Sequence, residues 1–177
     1  MLGGTIMPGF SEMKVAGIAL DPTNNAPIVV LRDLDGRFIL PIWIGIMEAS
    51  AIAAALEGVQ YSRPMTHDLF RSFVESLGAT IEKIEVVDIR DNVFYALITI
   101  VHDGTHLTID ARPSDAIAIA LRTKSPIFVA DHVIKDAIRV DAKASASKVM
   151  VGFEQDQDKL KEILEKMNPE DFGKFKA

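Results

Sequence analysis

The chain has 177 residues, 49% of them hydrophobic, and 25 acidic against 19 Lys and Arg residues give a formal net charge of −6. That length suits one domain able to bury a core without staples, and the absence of cysteine excludes both a disulfide framework and thiolate metal sites. The acidic balance excludes a broad basic face for nucleic acid, so any such contact must be focal.

No apolar run approaches the ~20 residues of a membrane helix; the longest, Phe38 to Leu56, is interrupted by Pro41, Gly45, Glu48 and Ser50. No charged-then-apolar leader is present, so a cytoplasmic location without membrane contact is expected. Mean hydropathy is nonetheless +0.20. Apolar surface in that excess is expected to be buried between subunits, which predicts a homo-oligomer, with a dimer favoured.

Residues 1–12 are glycine-rich and aperiodic and read as a disordered lead, with the fold beginning at Met13. Strands are predicted at Val15–Leu20, Pro27–Leu31 and Phe38–Ile44, the last reached through an Asp35-Gly36 hairpin turn. A small-residue helix follows over Met47–Glu57, capped by Gly58. Past a connection, Thr66–Leu77 reads as an amphipathic helix whose Leu69, Phe70, Phe73, Val74 and Leu77 share one stripe. Strands at Thr80–Ile89, Val93–Val101 and His106–Ala111 come next, with Asp103-Gly104 as the second hairpin turn. A helix over Ser114–Arg122 and a closing strand over Pro126–Val129 complete a domain spanning 13–140. Residues 141–177 read as a linker and a short helical tail, in which Leu160, Ile163, Leu164 and Met167 suggest a docking or subunit contact.

Two halves of this pattern match. Ser-Ala-Ile-Ala-Ala-Ala-Leu ending at Leu56 and Asp-Ala-Ile-Ala-Ile-Ala-Leu ending at Leu121 agree at five of seven positions. Each follows a strand that itself follows an Asp-Gly turn, so the fold class is α+β. A duplicated β-β-β-α unit would form mixed or antiparallel sheets packed with small-residue helices.

Polar residues gather where helices begin. In Arg63-Pro-Met-Thr-His-Asp68, Thr66 reads as an N-cap and Asp68 as a partner of the helix dipole, leaving Arg63 and His67 for an anion pocket and proton transfer. In Asp110-Ala-Arg-Pro-Ser-Asp115, Ser114 reads as the cap. Asp110, Arg112 and Asp115 would either hold a divalent cation beside a phosphate or simply ion-pair to fix the corner. Glu48 opens the first small-residue helix; if it points inward, it needs Arg63 or Arg112 as partner. No phosphate loop, His-Glu-x-x-His or Gly-x-Ser-x-Gly elbow is present. His102, His106 and His132 read as turn or surface residues, and Trp43 as core.

Taken together, Leu40-Pro-Ile-Trp-Ile-Gly45, Glu48-Ala49, Arg63-Pro-Met-Thr-His-Asp-Leu69, Phe94-Tyr-Ala96 and Asp110-Ala-Arg-Pro-Ser-Asp-Ala-Ile117 resemble the signature of the bifunctional nuclease (DNase/RNase) domain, over roughly Met13 to Val140. The resemblance implies phosphodiester hydrolysis of DNA and RNA, with a site drawn from Glu48, Arg63, His67, Asp68, Asp110, Arg112 and Asp115. Within that set, residue type suggests Mg²⁺ or Mn²⁺ on Asp110, Asp115, Glu48 and Asp68, with His67, Arg63, Arg112 and Asp115 as the catalytic groups. The alternative is a non-catalytic homo-oligomeric module whose Arg-Pro corners bind a small anion or a protein partner.

Overall fold

The computed structural model describes residues 7–141. An antiparallel meander of β1 (Phe10–Leu20), β2 (Pro27–Asp33) and β3 (Ile39–Trp43) leads into α1 (Ile46–Leu56). After α2 (Thr66–Ser76), a second antiparallel meander of β4 (Thr80–Arg90), β5 (Val93–His102) and β6 (Thr105–Ala111) leads into α3 (Pro113–Thr123). The chain then adds β7 (Ile127–Ala130) and α4 (Asp131–Asp141). The strands form one seven-stranded sheet in the order β3-β2-β1-β7-β4-β5-β6.

The duplicated unit is therefore real, and its two meanders lie in one sheet without touching. β7 stands between them, antiparallel to β1 and parallel to β4. Asp103 and Gly104, both at positive φ, close the β5–β6 hairpin as a two-residue turn, and Asp91 and Asn92 do the same between β4 and β5.

Helices cover one face of the sheet. Met13, Val29, Leu31 and Leu40 from the first meander and Ile84, Val86, Ala96 and Ile98 from the second face Ile52 of α1 and Ile117 of α3 in one buried cluster. α1 presents Ala49 and Ala53, and α3 presents Ala116, Ala118 and Ala120, all buried. Small side chains let the two helices approach each other and the sheet closely, which explains the alanine-rich repeats. No helix among the described residues is long and apolar enough to cross a membrane.

Several expectations change. β1 starts at Phe10 rather than beyond Met13, because Phe10–Met13 pairs with Ile127–Ala130 of β7. α4 was not foreseen, although Val133, Ile134 and Ala137 are buried at helical spacing and Asp131 sits in its first turn, accepting a hydrogen bond from Ser11 Oγ at 3.0 Å. Trp43 is half-exposed rather than core, its indole N–H donating to Asp21 at 3.0 Å. The α2 stripe splits: Phe70 and Val74 join the core, while Leu69, Phe73 and Leu77 stay exposed. The predicted C-terminal tail lies outside the described residues.

Ile117 is fully buried at the junction of α3 with the sheet. Replacing it with Ala should cost about 2–5 kcal/mol, read as a lower urea midpoint at unchanged slope.

Candidate functional site

Three helices begin at one corner of the molecule, and each carries a carboxylate at its third position: Glu48 in α1, Asp68 in α2 and Asp115 in α3. Negative charge is favoured there by the helix dipole. Thr66 and Ser114 are not the caps expected. The N-cap positions belong to Gly45, Met65 and Arg112, with Pro113 as the first residue of α3, where its fixed φ suits a helix start. Asp68 Oδ2 instead accepts the Met65 backbone N–H at 3.1 Å. At Gly45 a Cβ would overlap the Glu48 carboxylate, so the glycine makes room for that side chain to fold back over its own helix start.

Arg112 joins the first and third of these carboxylates. Its Nη1 donates to Glu48 Oε1 at 2.8 Å, its Nε to Asp115 Oδ2 at 2.8 Å and its Nη2 to Asp115 Oδ1 at 3.2 Å. A guanidinium has five N–H groups, so two remain, and the side chain is 65% exposed to solvent. The hydrogen bonds to Asp115 and then Glu48 hold the Arg112 pKa above its already high value. Partial burial pushes the Asp115 carboxyl up, but hydrogen bonds from Arg112 and His67 outweigh it and leave the group below the usual carboxylate range. His67 Nε2 lies 3.2 Å from Asp115 Oδ1. An ionised carboxylate only accepts, so Nε2 is the donor, and in the neutral ring this fixes the tautomer that leaves the lone pair on Nδ1.

The second position is served differently. Asp68 Oδ1 accepts from Arg122 Nε at 2.6 Å, and Arg122 Nη1 also donates to the carbonyls of Ala51 at 3.0 Å and Ala118 at 2.9 Å. Arg122 is only 7% exposed, so this cation is buried among α1, α2 and α3. Sequence reasoning treated it as the end of a helix. The available signal was a cation in the last helical turn, seven residues beyond Asp115 and so on the same face.

The structure thus brings together Glu48, His67, Arg112 and Asp115. Arg63 is exposed on the segment leading into α2, with no partner among the described residues. Asp110 is elsewhere: it pairs in register with Leu97, which pairs with Glu85, and that row lies on the sheet face away from the helices. The residues expected to hold Mg²⁺ or Mn²⁺ therefore do not fit the ion as a set. Asp110 faces away, Asp68 is committed to Arg122 and Met65, and the Arg112 guanidinium spans Glu48 and Asp115. Among the described residues no group of three or more His, Cys, Asp or Glu side chains is placed to hold a metal. His102, His106 and His132 lie near single carboxylates at 3.7, 3.4 and 3.7 Å on the surface, as expected.

The doubled scaffold with this corner is a nuclease-type domain: the family model described as the bifunctional nuclease domain matches residues 29–142. The chain belongs to the bifunctional nuclease domain family. It is 38% identical over 162 residues to a Mycobacterium tuberculosis protein described only as uncharacterized, covering 91% of this chain and 97% of that one. Bifunctional nuclease 1 of Arabidopsis thaliana is 30% identical over 142 residues, which cover 74% of this chain and 44% of the plant protein. Bifunctional nuclease 2 of Oryza sativa subsp. japonica is 32% identical over 107 residues, covering 58% of this chain and 33% of that protein.

Removing one partner of a buried ion pair strands the other. Arg122→Met should therefore cost about 3 kcal/mol, measured by urea unfolding, and the double variant with Asp68→Leu should recover part of that loss. A second outcome concerns acid. The folded-state pKa of Asp115 lies below its unfolded value of about 3.9, so its contribution to stability is complete above that pH and disappears as pH falls further. Wild type and Asp115→Asn should differ in stability near neutrality and converge below about pH 4.

Proposed function

We propose that this chain hydrolyses phosphodiester bonds of DNA and RNA at the corner formed by Arg112, His67, Asp115 and Glu48. One observation carries the proposal: a solvent-facing guanidinium with two N–H groups to spare shares its carboxylate with a histidine. A phosphate oxygen fits the spare N–H groups, and the exposed cation of Arg63 adds charge from the neighbouring segment. Asp115 orients both groups, and Glu48 holds the far side of the guanidinium. His67 Nδ1 takes a proton from the attacking water as the new P–O bond forms, and the imidazolium returns it to the leaving oxygen as the old one breaks. Since the carboxylates do not fit a metal as a set, no step is routed through one. Family membership and the plant relatives' names support a nucleic-acid substrate. The chain is read as cytoplasmic, and its apolar excess as buried in a homo-oligomer.

A second reading has its own observation. Two carboxylates surround one guanidinium, so the corner without Arg63 is net acidic. A non-catalytic module whose Arg-Pro corner is tied down, and which binds a small anion or a protein partner, would look the same.

Cleavage of single- and double-stranded DNA and RNA, in Mg²⁺, in Mn²⁺ and in EDTA, separates the two. Arg112→Ala and His67→Ala, checked for folding, should each lower the rate by about 10²–10⁴-fold. Cleavage unchanged in both variants would belong to a contaminant. A wild type that retains phosphate but cleaves nothing in any buffer would favour the second reading.

A further inference from the structure

A cavity of about 200 Å³ lies between the end of α2, the start of β4 and the end of α3. Helix starts build the polar corner; helix ends build this cavity, so the two sites are separate. Arg71, Glu75, Thr80, Arg122 and Lys124 supply its polar wall. That is three cations against one carboxylate, in a chain of net charge −6.

Arg122 is already spent on Asp68 and two backbone carbonyls. The other two cations are not. Lys124 is exposed and makes no ion pair among the described residues. Arg71 is underbonded: its Nε is shut off from solvent without a hydrogen-bond acceptor, with Glu75 Oε1 at 3.6 Å, and its Nη1 reaches the Arg122 carbonyl only at 3.5 Å. Buried donors are almost always paired, so this exception asks for a reason. Lys124 is unusual as well. It takes the left-handed position that ends α3, with φ 59°, where glycine is the ordinary residue and a side chain is strained. The carbonyl ends of helices attract cations, which accounts for positive charge here. It does not account for a loosely held arginine or for a lysine in a glycine's place.

We propose that this cavity binds a single phosphate group, either free or at the end of a nucleotide chain. Arg71 offers its fork to two oxygens, and Lys124 and the exposed Thr80 hydroxyl serve the others. Donors from three segments suit a tetrahedron of oxygens better than the planar pair of a carboxylate. At about 30 Å³ per water, the cavity has room for a phosphate and a few waters. It falls below the ~300 Å³ of a cofactor pocket, so a nucleoside attached to the phosphate stays outside. A phosphate of two charges matches the two uncommitted cations, and Glu75, 62% exposed, opposes it. Nothing in this assignment depends on hydrolysis.

Isothermal titration of the full chain with inorganic phosphate, in chloride buffer, tests it. Arg112 offers phosphate a second place, so the titration is run on Arg112→Ala as well as wild type. One phosphate per chain should still bind Arg112→Ala, with a Kd near or below ~1 mM. In that background Arg71→Gln and Lys124→Gly, with circular dichroism confirming the fold, should each weaken binding at least ~10-fold. Glu75→Gln should tighten it about fivefold. A nucleoside 5′-monophosphate that binds as tightly as phosphate identifies nucleotide ends as a source; phosphate bound alone identifies the free ion. No uptake by Arg112→Ala up to ~20 mM overturns the proposal. So does uptake indifferent to both Arg71→Gln and Lys124→Gly, or a nucleoside without phosphate that binds equally well.

Discussion

A single buried guanidinium determines how the helical layer is assembled. Arg122 loses its water among α1, α2 and α3, a cost of several kcal/mol for a lone cation. Asp68 and two backbone carbonyls offset it. Those three acceptors come from three helices, so the position of α2 is fixed once they converge. Phe70 and Val74 then meet the core, and His67, the neighbour of Asp68, is brought to Asp115. The exposed polar corner is a consequence of the buried one.

The duplication places its charges in an unequal way. Glu48 and Asp115 each stand third in their helix, although the matching heptapeptides align Asp115 with Ser50, and only α3 has an arginine at its N-cap. The N-cap of α1 is Gly45, and the Glu48 carboxylate lies where a side chain there would go. One cation thus serves the anions of two helix starts. The asymmetry turns a repeated scaffold into a single corner, with α2, which lies outside the repeat, adding the histidine.

Much of this was legible in the chain. Turn residues such as Asp103-Gly104, the alternating strands and the alanine-rich helices gave the element order, because those signals are local. The resemblance grouped Glu48, Arg63, His67, Asp68, Asp110, Arg112 and Asp115, of which Glu48, His67, Arg112 and Asp115 meet. What stayed hidden was non-local. Arg122 looked like an ordinary helix end because its partners lie 54 and 71 positions away. Asp110 alternates with Ile109 and Ala111, which assigned it a face of its strand, but which face the helices cover is decided by packing. The five apolar residues of α2 looked like one buried stripe, whereas the helix docks through only one edge of it. α4 was missed although Val133, Ile134 and Ala137 carry the spacing.

The place of β7 also bears on synthesis. β1 has β2 beside it early, but its other edge waits for residues 127–130. At about 5–20 residues per second of translation, the backbone groups of Phe10–Met13 stand open for roughly 6–23 s on the ribosome. An unpaired edge of that kind invites strands from other nascent chains. The middle of the finished sheet is thus the last part of it to be made.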